Sequence, residues 1–247
     1  MTAPDLAILI TFWILVSLTT QLPDGWQRFL HKSAKDWLLD ICGLLIQGIV
    51  IPVLQVGLVY RLLHWLLPTV ENTIVLPSFV GFLLCVVLVD YGYYWNHRWL
   101  HSTAWSIHRV HHTVTQLDVV GASRNSLWSS FFILYLWVHA VMLYCLQDTS
   151  GYLWGISITA MLDLWRHSQL GPRSHTLLYN LLSPWLILPQ DHAHHHSKHH
   201  TANFGGNLKL WDKLHGTYKP CDHFPKNMGV KTKLTFWQKL LYPFKTS

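Results

Sequence analysis

Eighteen histidines stand among 247 residues, and half of them fall into a pattern that could hold metal. His97 and His101 lie four apart, His108, His111 and His112 form a His-x-x-His-His, and His192, His195 and His196 repeat that spacing. His167 follows the end of an apolar run. Positions i, i+3 and i+4 share one face of a helix, so each cluster is expected to present a small fan of imidazoles. Imidazole suits iron, zinc, copper and nickel, so the ligand type does not choose the metal. The number of ligands is more informative. These nine side chains exceed the roughly four to six positions around one ion, which implies two. Asp90, Asp163 and Asp191 sit close in sequence to the clusters and are expected to accept the second N–H of an imidazole. The run from His192 to His200 also permits a second register, His196 with His199 and His200, and leaves His194 as a further donor.

The elements that must position these groups are apolar. Half of the chain is hydrophobic (51%) and only 12% is charged, a balance that soluble domains of this length seldom show. Long apolar runs cover about 6–22, 37–60, 74–95, 127–146 and 152–165. A bilayer core of about 30 Å takes roughly 20 helical residues, so the first four can span and the fifth is short. The expectation is an all-α, integral membrane bundle of four to five helices. It forms one domain over 1–247, with a polar cap made of 96–126 and 166–247. A cleaved signal peptide is not expected, because the segment before the first run has no basic residue.

Every lysine and arginine except Arg61 falls on one side of this topology, which the positive-inside rule assigns to the cytoplasm together with the C-terminus and the histidines. The net charge of +6 then reflects topology and attraction to anionic headgroups; no nucleic-acid partner is expected. The four cysteines form no Cys-x-x-Cys and read as packing residues. A tail segment over 231–244 alternates apolar and basic residues as an amphipathic surface helix does. His139, inside the fourth run, reads as a helix-packing hydrogen-bond donor.

The motifs resemble those of the fatty acid hydroxylase superfamily, which includes sterol desaturases, sterol methyl oxidases, alkylglycerol monooxygenases and bacterial lipid hydroxylases. The likeness runs from about Asp90 to Tyr218. Its first box is Asp90 to His101, its second His108 to His112, and its intermediate His-Ser element His167-Ser168. Its third box is Pro189 to Ser197, where Ser197 favours the His192/His195/His196 register. Asn203-Phe204-Gly205 and Trp211 to Thr217 match the trailing signature. Arg124-Asn125-Ser126-Leu127 departs from the Arg-x-His-Pro that many relatives carry. The resemblance implies a non-haem diiron centre, on which zinc can substitute during purification, with His97, His101, His108, His111, His112, His167, His192, His195 and His196 as metal ligands and catalytic residues. It implies O2 as co-substrate and hydroxylation or desaturation of an aliphatic C–H bond in a membrane lipid. Electrons would come from a separate donor protein and its reductase, which Lys209, Lys213 and Lys219 are placed to dock. A bacterial inner membrane, or else the endoplasmic reticulum, is the expected location. The rivals are a His-rich metal-binding or transport protein and a non-catalytic relative. Oligomeric state is left open.

Overall fold

The computed structural model describes residues 2–197 and 201–244. It is all helical: among the described residues there is no strand, only the isolated bridges Ile74 to Leu146 and Leu186 to Leu208. His199 and His200, the alternative ligands of the second register, lie outside the described residues.

Among the described residues, three helices are long and apolar enough to cross a membrane: α1 (Ala3–Thr20), α3 (Ala34–Leu66) and α4 (Ser78–Ser102). Their outward faces carry Trp13, Val53, Val56 and Phe79, each more than 60% exposed, which is a surface suited to hydrocarbon rather than water. At 33 residues α3 runs roughly 50 Å, well beyond the bilayer core of about 30 Å. Its first turns, with Asp36 and Asp40, therefore belong to the polar layer. Between α1 and α3 lies the short α2 (Gly25–Leu30), and α4 is followed by α5 (Trp105–His108).

The fourth apolar run does not form one helix. It breaks into α6 (Leu127–Phe132) and α7 (Leu134–Cys145), because Ile133 is extended. The Asn96 side chain holds the break, donating to the Phe132 carbonyl at 3.0 Å and accepting from the Leu134 N–H at 3.1 Å. The fifth run becomes α8 (Ser150–Arg166), 17 residues long. It packs on α1 and along α4, close enough that a Cβ on Gly151 would stand 1.7 Å from the Ser78 carbonyl oxygen and one on Gly155 would stand 2.6 Å from Cys85 Cβ. Small residues permit such contact where apolar burial gives no net drive. Cys85, Val89, Leu146 and Tyr152 form the core of that packing. His139 bonds the Tyr152 hydroxyl at 2.9 Å and binds no other histidine.

The remaining short helices, α9 (Leu177–Leu182), α10 (Pro189–His195), α11 (Leu210–Leu214) and α12 (Phe236–Leu241), form the polar end of the molecule with the turns His111–Thr113 and Gly121–Ser123. The expected tail helix is α12, six residues long; its Leu240 packs on Leu39 and Val110. Just before it, the chain straps across the second and third histidine boxes, where the Gly229 N–H donates to the His196 carbonyl at 3.0 Å and the Val230 N–H to the His112 carbonyl at 2.7 Å.

Candidate metal centre

All nine histidines of the sequence pattern converge at this polar end, in two groups. His97, His101, His108, His112 and His195 make one; His111, His167, His192 and His196 make the other. Within each group the ligand atoms lie within 4.8 Å of one another, and neither group includes a carboxylate or thiol. Eight of the nine side chains are buried, His101 being the exception.

The fans expected from each box do not hold together. In the second box His108 and His112 join the first group while His111 joins the other; in the third, His192 and His196 join the second group and His195 the first. In the third box, with His192 and His195 on α10 and His196 at its cap, the helical period explains the division. At about 3.6 residues per turn, i and i+4 diverge by roughly 40° about the axis, whereas i+3 lies about 60° to the other side. A box lying between two centres thus sends its outer pair one way and its middle histidine the other.

The nitrogen chemistry tests whether these groups fit metal. Four Nδ1 atoms meet main-chain carbonyls: His97 to Phe204 at 2.8 Å, His111 to Arg124 at 3.1 Å, His167 to Asp163 at 2.8 Å and His195 to Ala202 at 2.8 Å. A carbonyl only accepts, so each of these rings carries its proton on Nδ1 and turns a bare Nε2 inward. His111 and His167 nonetheless bring their Nε2 atoms to 3.4 Å, where two lone pairs face each other with no proton between. Other close Nε2 pairs include His97–His108 at 3.1 Å, His101–His195 at 3.0 Å, His192–His167 at 2.9 Å and His196–His192 at 3.1 Å. Nitrogens about 2.1 Å from a shared ion are separated by about 3.0 Å at right angles and about 3.4 Å at the tetrahedral angle. The residues fit two cations.

Burial keeps the rings in the ligating state. It pushes the His111 imidazole down to about 3, with the neighbouring His167 adding to the effect, and holds His112, His192 and His196 well below the usual histidine range, again with nearby imidazoles contributing. Neutral imidazole is the form that binds metal.

The three aspartates act at different distances. The Asp163 main-chain carbonyl takes the His167 N–H, and its carboxylate stands 3.4 Å from the same Nδ1 while pairing with Arg166. Asp90 is instead occupied by the loop beyond the third box, accepting from the N–H groups of Asn207 and Leu208, the Asn207 amide and the Trp211 indole at 2.8–3.0 Å. Asp191 bonds the Leu188 N–H at 3.0 Å and pairs with Lys209 at 2.8 Å. Burial raises the Asp191 carboxyl, and Lys209 opposes that rise. Lys209 is 1% exposed, which removes it from any docking surface; Lys213 and Lys219 remain exposed.

Other residues of the site carry no local signal of their role. Arg124, in the stretch that departs from the family pattern, is buried and reaches Asp40 through Nε at 2.5 Å and NH2 at 3.0 Å while its carbonyl orients His111. Arg166 bonds the Gly206 carbonyl and the Asn207 side chain. Asp212 fixes the turn that presents the Phe204 carbonyl, accepting from the Phe204 and Gly205 N–H groups at 2.8 and 2.6 Å. The trailing signature takes in Asp212, and Arg124 stood out only through its departure from the family pattern.

The sequence model of the fatty acid hydroxylase family matches residues 82–217, a span that takes in every one of the nine histidines. The chain belongs to this family. Curated relatives include alkylglycerol monooxygenase of Xenopus tropicalis, 29% identical over 53% of this chain and 29% of the relative, and that of Danio rerio, 30% identical over the same shares. Ornithine lipid hydroxylase OlsE of Rhizobium tropici is 30% identical over 68% of this chain and 51% of the relative. The chain thus matches about half or less of the length of these relatives. No solved structure matches. As a fatty acid hydroxylase family member, the chain brings its histidines to one polar end beside long apolar helices.

Proposed function

We propose that this protein is an O2-dependent diiron oxygenase that hydroxylates an aliphatic C–H bond of a membrane lipid. The observation that carries the reading is the pair of all-imidazole groups whose bare Nε2 atoms approach one another at metal-bridging distances. The relatives quoted above are named alkylglycerol monooxygenase in two organisms and ornithine lipid hydroxylase in a third, which supports this reading.

The five-histidine and four-histidine groups would hold one iron each. Bound iron supplies the reductive activation of O2 that attack on an unactivated C–H bond requires. The protein's own part is electrostatic and positional. The carbonyls of Phe204, Arg124, Asp163 and Ala202 hold four rings in one tautomer and orientation. Burial of eight rings keeps water from the centre, and the apolar helices offer a route by which a lipid chain enters sideways. Whether the product is an alcohol or an alkene follows from which C–H bonds are presented. Electrons come from a separate donor protein and its reductase. In this reading the helices cross the membrane several times, with the histidines and C-terminal region on the cytoplasmic side of a bacterial inner membrane.

The test is metal content with Mössbauer spectroscopy on protein purified anaerobically from iron-57-grown cells, beside His108→Ala and His195→Ala. About two irons per chain, with a coupled spectrum lost in the variants, is expected. Zinc alone, even after iron reconstitution, would overturn the assignment.

A further inference from the structure

His101, the one histidine of the two groups that is not buried, lines a cavity of about 490 Å³. One wall is the last turns of α4, with Trp95, Arg98 and Trp99; the other carries Thr201 and Thr217. Arg98 is the sole charged side chain among the described residues of this lining. It also differs from the two buried arginines of the site. Arg124 and Arg166 are each paired with aspartate, whereas Arg98 forms no ion pair among the described residues. Its guanidinium lies over the Trp95 ring at 5.0 Å and donates to the Tyr94 hydroxyl at 3.3 Å. These contacts hold the side chain in place and leave its charge unneutralised.

Position adds to chemistry. Trp95 and Trp99 are 46% and 38% exposed at the end of the third long apolar helix, where indoles sit at the headgroup level. A guanidinium that lies over one such indole and shares a cavity wall with the other is placed where a lipid's anionic group rests, and planar bidentate recognition of phosphate or carboxylate is what arginine does best. Arg98 and His101 are three residues apart on one helix, neighbours on its surface.

We infer that this cavity is the substrate's headgroup site: Arg98 binds the phosphate or carboxylate of an anionic lipid, and the carbon presented to the His101 centre is one of the first few beyond that headgroup. The inference rests on the oxygenase reading and narrows it to headgroup-proximal oxidation of an acidic lipid. The Trp95 and Trp99 rings flank the entry, while Thr201 and Thr217 line the opposite wall.

The experiment is photolabelling of the iron-loaded protein in neutral maltoside micelles. The probes are phosphatidic acid and diacylglycerol, each with a diazirine close to the headgroup end of one acyl chain, and labelled peptides are mapped by mass spectrometry. Phosphatidic acid is expected to label 95–102 and 201–217 about tenfold more than diacylglycerol. Arg98→Gln should abolish that preference and Arg98→Lys restore part of it, with iron content equal to the parent in both. Equal labelling by the two lipids, a preference that survives Arg98→Gln, or complete competition by free inorganic phosphate at the lipid's own concentration would overturn the inference. Iron measured on the same samples separates the two readings. Arg98-dependent labelling in protein that takes up no iron keeps the headgroup site and sinks the oxygenase. Two irons with labelling indifferent to the headgroup does the reverse.

Discussion

Replacing Lys209 by methionine should weaken the support of the third histidine box, although the ammonium's recorded partners are Asp191 and Tyr218. Lys209 and Asp191 are each about 1% exposed and pair at 2.8 Å, and Tyr218 completes the lysine's contacts at 2.9 Å. Removing one partner of such a pair leaves an uncompensated buried charge, which costs about 3–5 kcal/mol. In a chain of this size that is a fall in Tm of about 6–20 °C. The damage should be local first, because Asp191 caps α10 through the Leu188 N–H and α10 carries His192 and His195. The assay is a thermal melt in detergent with iron counted before and after mild chelation. Lys209→Met should melt early and lose iron readily. Lys209→Met with Asp191→Asn removes both charges, keeps an acceptor for the Leu188 N–H, and should recover most of the loss. A single variant as stable as the parent, or a double variant worse than the single, would refute the claim that this pair holds the third box in place.

Other outcomes follow from the same geometry. In metal-stripped protein, His111, His112, His192 and His196 have pKa values depressed by burial, whereas the unfolded chain takes up protons below about 6.5. Stability should therefore be full above that pH and fall steadily as pH drops below it; a melt unchanged from pH 8 to pH 5 would count against neutral buried imidazoles. Gly151→Ala sets a Cβ 1.7 Å from the Ser78 carbonyl oxygen and should cost about 1–3 kcal/mol by forcing α4 and α8 apart, read as a lowered melt in detergent; a parent-like melt would mean that the helices are less tightly apposed. Truncation after Asn227 deletes the strap onto His112 and His196 and should speed iron loss to a chelator more than it lowers helix content by circular dichroism. Equal retention of iron would show that the strap is dispensable.

The site was more legible in the sequence than the frame around it. Histidine spacing picked out the rings of the first two boxes, because spacing is a local property that survives folding; His167 came from its place after an apolar run, and the register of the third box from the family resemblance. The division of the nine rings between two groups was not legible, since it depends on each box lying between two centres, and only packing decides that. The fourth apolar run read as one helix because Ile133 has no breaker character; the break is imposed by Asn96, 37 positions earlier in the chain. Asp90 and Asp191 read as partners for nearby histidines by proximity in sequence, yet Asp90 bonds Asn207, Leu208 and Trp211, and Asp191 bonds the Leu188 N–H and Lys209. Lys209 read as surface charge because lysine usually is, and nothing local announces a buried counter-ion.

Main-chain carbonyls set the tautomers of His97, His111, His167 and His195, and at His167 the Asp163 carboxylate stands near the same Nδ1 as well. A carbonyl is present whatever residue occupies positions 124, 163, 202 and 204, so no single side-chain replacement deletes it. Drift at those positions is constrained by backbone shape alone, and inheritance of the centre is divided between two codes. The ligands are written as residue identities, while the groups that aim them are written as the path of the chain.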